Sequence, residues 1–346
     1  MISENLSDFI SPAFQKNNIP VVFATDENWG IFLSVVIKSI LETSSESNNY
    51  DLIVLEEQLS EDVKKKLQFV IKDKSNFSLR FINMTPYLNN IGRELFPEKR
   101  EWTIATYYRL FIPVIFQNYE KVIYLDTDVI LLKDISLLYL TDLENNYLGA
   151  AVDVAATSLT FHKDFMKKFN LQGEYFNDGI LVFNIHNDLD LLPKSIQCLQ
   201  THKDLPAVAQ DVNNIVCYKK IKKLPLAWNF FNYEDPKSWF SRAPFETSYI
   251  KEYLALDLTH INLIHYVGCK PWKYPAAKYA DLWWNYANQL PFSNAIHEKS
   301  YPFQIKHLQK LLKKSEEQRK LIENSFFWKI TFPARKFYDF LFLDKE

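Results

Sequence analysis

Asp126 and Asp128, separated by one threonine, are the residues whose type and spacing most directly imply chemistry. Two carboxylates at i and i+2 can converge from a turn on one hard divalent cation, which prefers oxygen ligands. The residues before them, Val122, Ile123, Tyr124 and Leu125, form the short apolar run of a strand buried on both faces. Open α/β sheets bind ligands outside the carboxyl ends of their strands, and the acidic pair falls there. Val129 to Leu132 is apolar again, so the pair lies between two segments that want burial. Uncompensated carboxylates would be costly in that setting, and a cation or a solvated cleft relieves the cost.

A lone D-x-D is more commonly a pair of turn or cap residues, so partners elsewhere must decide. Phosphoaspartyl hydrolases also end a strand in an acidic pair, but in the first strand of their domain and before small polar residues. Here the pair lies beyond residue 120 and aliphatics follow.

The elements that must position the pair read as alternating strands and helices. Pro20 to Thr25 is a buried strand, followed by a polar turn at Asp26, Asn28 and Gly30 and a helical pattern through Ile31, Val35, Ser39 and Ile40. Asp51 to Leu55 repeats the strand. Ser60 caps a helix with Val63, Leu67, Val70 and Ile71 on one face, and Ser78 to Ile82 is a third strand. Three such units before residue 85 predict a doubly wound α/β sheet with right-handed crossovers. Glu101 to Phe116 reads as helix as far as Pro113 and carries Arg109. Leu148 to Val152 and Gly179 to Phe183 read as strands, with a lysine-bearing loop (Lys163, Lys167, Lys168) between them. Pro206 to Tyr218 reads as helix. The aromatics from Trp228 to Phe240 read as core filling in a loop-rich stretch, although sugar rings also stack on such faces. Ile261 to Tyr266 is a late strand carrying His265, which on its own is most simply a satisfied structural histidine.

With 346 residues and 47% hydrophobic content the chain can bury one large core. The net charge of −2 gives no global sign of nucleic-acid binding, yet residues 301–346 hold 10 Lys+Arg against 6 Asp+Glu, a basic tail. Cys198, Cys217 and Cys269 lack the number and spacing of a disulfide framework or zinc site, which points to a reducing cytosol. The first ten residues carry no secretory signal pattern. No run reaches the ~20 apolar residues of a membrane span. Only six glycines occur, none in a G-x-G-x-x-G or P-loop arrangement, so a nucleotide must be held in another way.

Taken in order, the segments Phe23 to Asn28, Thr106 to Leu110, Tyr124 to Asp128, Phe176 to Gly179, Gln210-Asp211 and His265 to Trp272 resemble glycosyltransferase family 8. These are retaining enzymes with a GT-A fold, including glycogenin and bacterial lipooligosaccharide galactosyl- and glucosyltransferases. The resemblance runs from about Val21 to Trp272. It implies a Rossmann-like mixed sheet in a catalytic domain over 20–292, with an N-terminal extension over 1–19 and a mainly helical, basic-aromatic tail over 293–346.

The resemblance further implies that Asp126, Asp128 and His265 ligate Mn²⁺ or Mg²⁺, the imidazole favouring manganese. The ion would sit on the diphosphate of a UDP-sugar and offset charge on the departing UDP. Lys270 would add positive charge to the phosphates and Gly268 would let backbone approach them. Ala24, Asp26 and Asn28 would line uridine and ribose, with Trp29 stacked on the base. Arg109 and Thr127 would sit at the donor, and Asp153, Asn177, Gln210 and Asp211 would face the donor sugar. A retaining transfer can run by double displacement or by front-face return; Gln210 is a poor nucleophile, which favours the second, with Gln210 and Asp211 as the catalytic pair stabilising an oxocarbenium-like state, or with Asp211 orienting Gln210.

Three positions depart from the family pattern. Ala209 stands where many relatives carry an aspartate, Asp178 replaces a small residue, and one residue rather than two separates Gly268 from Lys270. The implied activity is transfer of galactose or glucose onto a glycan or glycolipid acceptor of a bacterial surface. Rivals are a protein- or self-modifying glucosyltransferase, a phosphatase or nucleotide hydrolase using Asp126, and a non-catalytic sugar-nucleotide binder. The interleaved aromatic and basic residues of 326–341 would lie on an anionic membrane from the cytoplasmic side, or alternatively pack on protein.

Overall fold

In a computed structural model, the residues described are 10–99, 102–159, 163–187, 190–243, 247–325 and 330–331. Alternation within the first strand divides the molecule into layers. Along β1 (Asn18–Thr25), Val21 and Phe23 enter one apolar layer while Val22 enters the other. β2 (Asn49–Glu56) and β4 (Lys121–Leu125) alternate in the same way, so the sheet is covered on both sides. Each fully buried aliphatic side chain here contributes roughly 1.5–3 kcal/mol.

The remaining strands are β3 (Phe77–Asn83), β5 (Val129–Leu131), β6 (Leu148–Val152), β7 (Phe176–Asn184), β8 (Ile221–Leu224), β9 (Phe230–Phe231) and β10 (Leu263–His265). Among the described residues, seven strands form a sheet in the order β3-β2-β1-β4-β7-β6-β8. Pairing is parallel from β3 to β4 and antiparallel where β7 meets β4 and β6. A second sheet has the order β5-β10-β9. The doubly wound mixed α/β fold expected from the sequence is therefore present. Its strand order reverses between β1 and β4, the place where such sheets open a crevice.

Several local expectations are corrected. The stretch expected to be helical from Glu101 is a 3₁₀ segment, Ile104–Phe111, followed by a short helix, Ile112–Ile115. Pro113 lies in the first turn of that helix, where its missing N–H costs nothing. The lysines expected in a loop lie on a helix, Lys163–Lys168. β7 begins at Phe176, before the expected Gly179, because Asn214 accepts from the Phe176 N–H at 2.8 Å and donates to its carbonyl at 2.8 Å. A distant amide thus carries the strand through a polar stretch that reads locally as a breaker.

A long helix spans Ser293–Asn324. Its first turns pack on the body of the protein: Ile296 and Ser300 are fully buried and Phe303 stacks on Trp29 at 5.9 Å. Farther along, Leu308, Leu311 and Leu312 are exposed. Of the segment 326–341 that sequence reading assigns to a membrane surface, all but residues 330 and 331 lies outside the described residues. No described helix is long and apolar enough to cross a membrane.

Candidate active site

Two strand pairings bring together residues far apart in the chain. β4 pairs with β7 so that Leu125 faces Ile180, and the Asp126 N–H then donates to the Gly179 carbonyl at 2.8 Å. β5 pairs with β10 so that Val129, the residue after Asp128, faces His265. The Tyr266 N–H closes the turn on the Asp128 carbonyl at 2.9 Å. The acidic pair and the imidazole are therefore placed by backbone ladders.

His265 Nε2 lies 3.2 Å from an Asp128 oxygen and 3.8 Å from Asp126 Oδ2. One ligand atom from each of the three residues falls within 4.8 Å of the others. The polar atoms around them leave those ligand atoms turned inward. Asp126 Oδ1 accepts from Arg109 Nη2 at 2.8 Å and from the Tyr124 hydroxyl at 2.9 Å, and Oδ2 faces the imidazole. Nδ1 of His265 meets Asn229 Oδ1 at 2.8 Å. Two carboxylate oxygens and an imidazole nitrogen make a mixed donor set suited to a divalent first-row metal ion. The residues fit a metal.

No side chain intrudes because position 179 is glycine. A Cβ there would lie 2.3 Å from His265 Cε1 and 2.8 Å from Asp126 Oδ2. Charge is balanced locally. Burial works to raise the Asp128 carboxyl, but the Lys270 ammonium beside it outweighs this and holds the group well below the usual carboxylate range. Arg109, expected at the donor, is 4% exposed. Its guanidinium spans Asp126 and Asp178, each at 2.8 Å, and lies 4.5 Å over the Tyr124 ring. Burial, with a smaller push from Asp126, raises the Asp178 carboxyl to about 7 despite Arg109.

These groups lie in a cleft of about 490 Å³ at the carboxyl ends of β1 and β4, within the usual size range of small-molecule sites. The sequence-derived candidates Ala24, Asp26, Trp29, Arg109, Asp126, Thr127, Asp128, Asp153, Asn177, Gln210, His265, Gly268 and Lys270 all line it. Gly268 has φ +81°, a left-handed turn suited to glycine. Trp29 faces the cleft while its ring also meets Phe303, Trp272 and Lys273. Asp153 caps the helix Val154–Ser158 through the Ala156 N–H.

Two candidates do not line the cleft. Asn28 is outside it, its N–H bonded to Asp26 Oδ1 at 2.8 Å. Asp211 is fully buried, accepting from the Tyr175 hydroxyl at 2.5 Å and the Ala207 N–H at 2.6 Å. Its carboxylate anchors the start of the helix Val208–Val216, which carries Gln210. Sequence reasoning named Asp178 only as a departure from the family pattern and assigned neither Tyr124 nor Asn229 to the site. A polar asparagine inside the aromatic run Trp228-Asn229-Phe230-Phe231 was the available signal for the last.

Residues 20–276 match the model of the family described as Glycosyl transferase family 8. Over 269 residues the chain is 24% identical to the lipopolysaccharide 1,2-glucosyltransferase of Escherichia coli K12, covering 75% of each. Among solved structures, the apo form of the bifunctional glycosyltransferase WbbM superposes with a TM-score of 0.73 at 25% identity, over 84% of this chain and 53% of that one. The galactosyltransferase LgtC, solved with donor and acceptor sugar analogues, superposes with a TM-score of 0.67 at 23% identity, over 79% of this chain and 96% of that one. The chain spans 62% and 74% of the length of the first two curated relatives it matches.

Proposed function

The chain belongs to glycosyltransferase family 8, and from that premise we propose that it transfers galactose or glucose from a UDP-sugar to a glycan acceptor, with retention and with the help of a divalent cation. The observation that carries this reading is the convergence of Asp126, Asp128 and His265 on one point of a cleft at the strand-order reversal. Relatives that act on lipopolysaccharide, one a glucosyltransferase by name, favour a bacterial surface glycan as acceptor.

Asp126, Asp128 and His265 would hold the ion, manganese by preference, which supplies Lewis-acid stabilisation of the departing diphosphate. Lys270 reaches the same place from the turn after β10; it pairs with Asp128 and would share its charge with the phosphates. Ala24, Asp26 and Trp29, at the end of β1 and beyond, would take the nucleoside. Asp153 and Asn177 would hold sugar hydroxyls. Gln210 would present its amide to the reacting face and stabilise the oxocarbenium-like state, while Asp211 positions it from behind. Arg109 serves by holding Asp126.

Residues 20–292 would form the catalytic domain, and the basic-aromatic segment 326–341 would rest on anionic lipid at the cytoplasmic face. A chain ending at Ser325 keeps the packed turns of the last helix and should lose flotation with anionic liposomes that the full chain shows. Equal flotation would remove the membrane role.

The test of the activity is a UDP-release screen across UDP-glucose, UDP-galactose and their N-acetyl forms, with and without Mn²⁺. Release that requires both a hexose donor and the ion supports the reading. Release from none of the four donors, with a lipooligosaccharide acceptor supplied, would sink it.

A further inference from the structure

A run of hydrogen bonds leads from Gln210 through two asparagines to His265, and backbone donors to the Gln210 and Asn177 amides fix its direction. The Asp178 N–H donates to Gln210 Oε1 at 3.2 Å, so that atom is the amide oxygen. It also accepts from Asn177 Nδ2 at 3.0 Å. The Gly179 N–H donates to Asn177 Oδ1 at 3.0 Å, which turns the Asn177 amide the same way. Asn229 Nδ2 donates to that same oxygen at 2.8 Å, leaving Asn229 Oδ1 toward His265 Nδ1 at 2.8 Å. A carbonyl oxygen can only accept, so Nδ1 must carry the proton. Nε2, the atom facing both carboxylates, then carries a lone pair in the neutral ring. Asn229 and His265 are 4% and 3% exposed, so water does not readily substitute for the contact. Phe231 meets the imidazole edge-on at 5.6 Å, which restrains the ring plane.

We propose that Asn229 is a positioning residue that sets the His265 tautomer, with Asn177 orienting Asn229, so that Nε2 faces the cation with its lone pair. The proposal rests on the metal-site reading above. Without Asn229 the ring can place its proton on Nε2, against the carboxylates, and must surrender it before an ion can bind. Loss of such an outer partner typically weakens metal binding about 10- to 100-fold.

The experiment is calorimetric titration of Mn²⁺ into the full chain in the presence of UDP, comparing wild type, Asn229→Ala and Asn229→Asp, with melting curves to establish folding. Asn229→Asp keeps an oxygen acceptor opposite Nδ1 but cannot donate to Asn177. The expected result is about a 10- to 100-fold loss in Asn229→Ala, most of it recovered in Asn229→Asp. Wild-type affinity in the alanine variant, or equal losses in both, overturns the proposal. Should neither variant fold, ¹⁵N-histidine spectra of the metal-free wild-type protein with UDP, taken at a pH where the ring is neutral, decide. Protonated Nδ1 with bare Nε2 at His265 supports the assignment, and protonated Nε2 overturns it. Absence of Mn²⁺ binding by the wild type would instead count against the metal site itself.

Discussion

Replacing Gly179 by alanine should damage the candidate cation site far more than it damages the fold. The added Cβ would lie 2.3 Å from His265 Cε1, 2.8 Å from Asp126 Oδ2 and 3.1 Å from Asn177 Oδ1. Carbon atoms rest at about 3.5–4.0 Å, so the imidazole or the strand must give way by more than about 1 Å. Neither moves cheaply: the ring is tied to Asn229, and β7 is paired on both edges. Overpacking of this kind costs roughly 1–3 kcal/mol of stability, whereas a misplacement of ~1 Å near reacting groups costs on the order of 100-fold in rate. The comparison that isolates the effect is Gly149→Ala, where the new Cβ would meet only Leu143 at 2.9 Å and Leu224 at 3.1 Å. Both variants should melt a few degrees lower. Mn²⁺ affinity, read by calorimetry with UDP present, should fall at least about tenfold in Gly179→Ala and stay near wild type in Gly149→Ala, and turnover should follow. Equal Mn²⁺ binding by the two variants would refute the geometric argument.

Three further outcomes follow from the same structure. Asp178 holds a proton in the folded protein up to about pH 7, whereas in the unfolded chain it is ionised above ~4. This group therefore makes stability fall as pH rises between those values, and Asp178→Asn should remove up to ~1.4 kcal/mol per pH unit of that slope in urea titrations; an unchanged slope would contradict the assignment. Arg109→Met leaves Asp126 and Asp178 without their shared cation and should cost about 3–5 kcal/mol, a loss under about 1 kcal/mol being the contrary result. Asp211→Ala removes the acceptor of the Tyr175 hydroxyl and of the Ala207 N–H, so it should lose roughly 1–3 kcal/mol of stability and lower turnover while UDP still binds; intact turnover would remove its positioning role.

Much of the sheet was legible because its strands announce themselves locally. The runs at Val21, Leu52 and Val122 are apolar on both faces, as a covered parallel sheet demands, and Ser60 caps its helix as its position implied. The acidic pair was readable as a turn that needs compensation. What brings His265 to it was not, because the β5–β10 pairing links segments with no local signal for each other. The 3₁₀ form of Ile104–Phe111 was likewise hidden. Its conformation accompanies a buried Arg109 whose guanidinium reaches Thr106 and the two carboxylates, a set of partners absent from the local periodicity. The family resemblance put Asp211 beside Gln210 at the donor sugar, but on a helix neighbouring residues point about 100° apart, and of these two Gln210 faces the cleft while Asp211 is buried behind it. Asn229 went unassigned because an amide among aromatics carries no motif; only its two hydrogen-bond partners reveal what it does.

The claim on which the whole account turns is that one imidazole and two carboxylates share a single ion. Electron spin-echo modulation of Mn²⁺ bound together with UDP reads the nitrogen ligands directly. The account predicts coupling to one histidine nitrogen in the wild-type protein and its disappearance in His265→Ala. Bound Mn²⁺ with no nitrogen coupling, or coupling that survives that substitution, would contradict it.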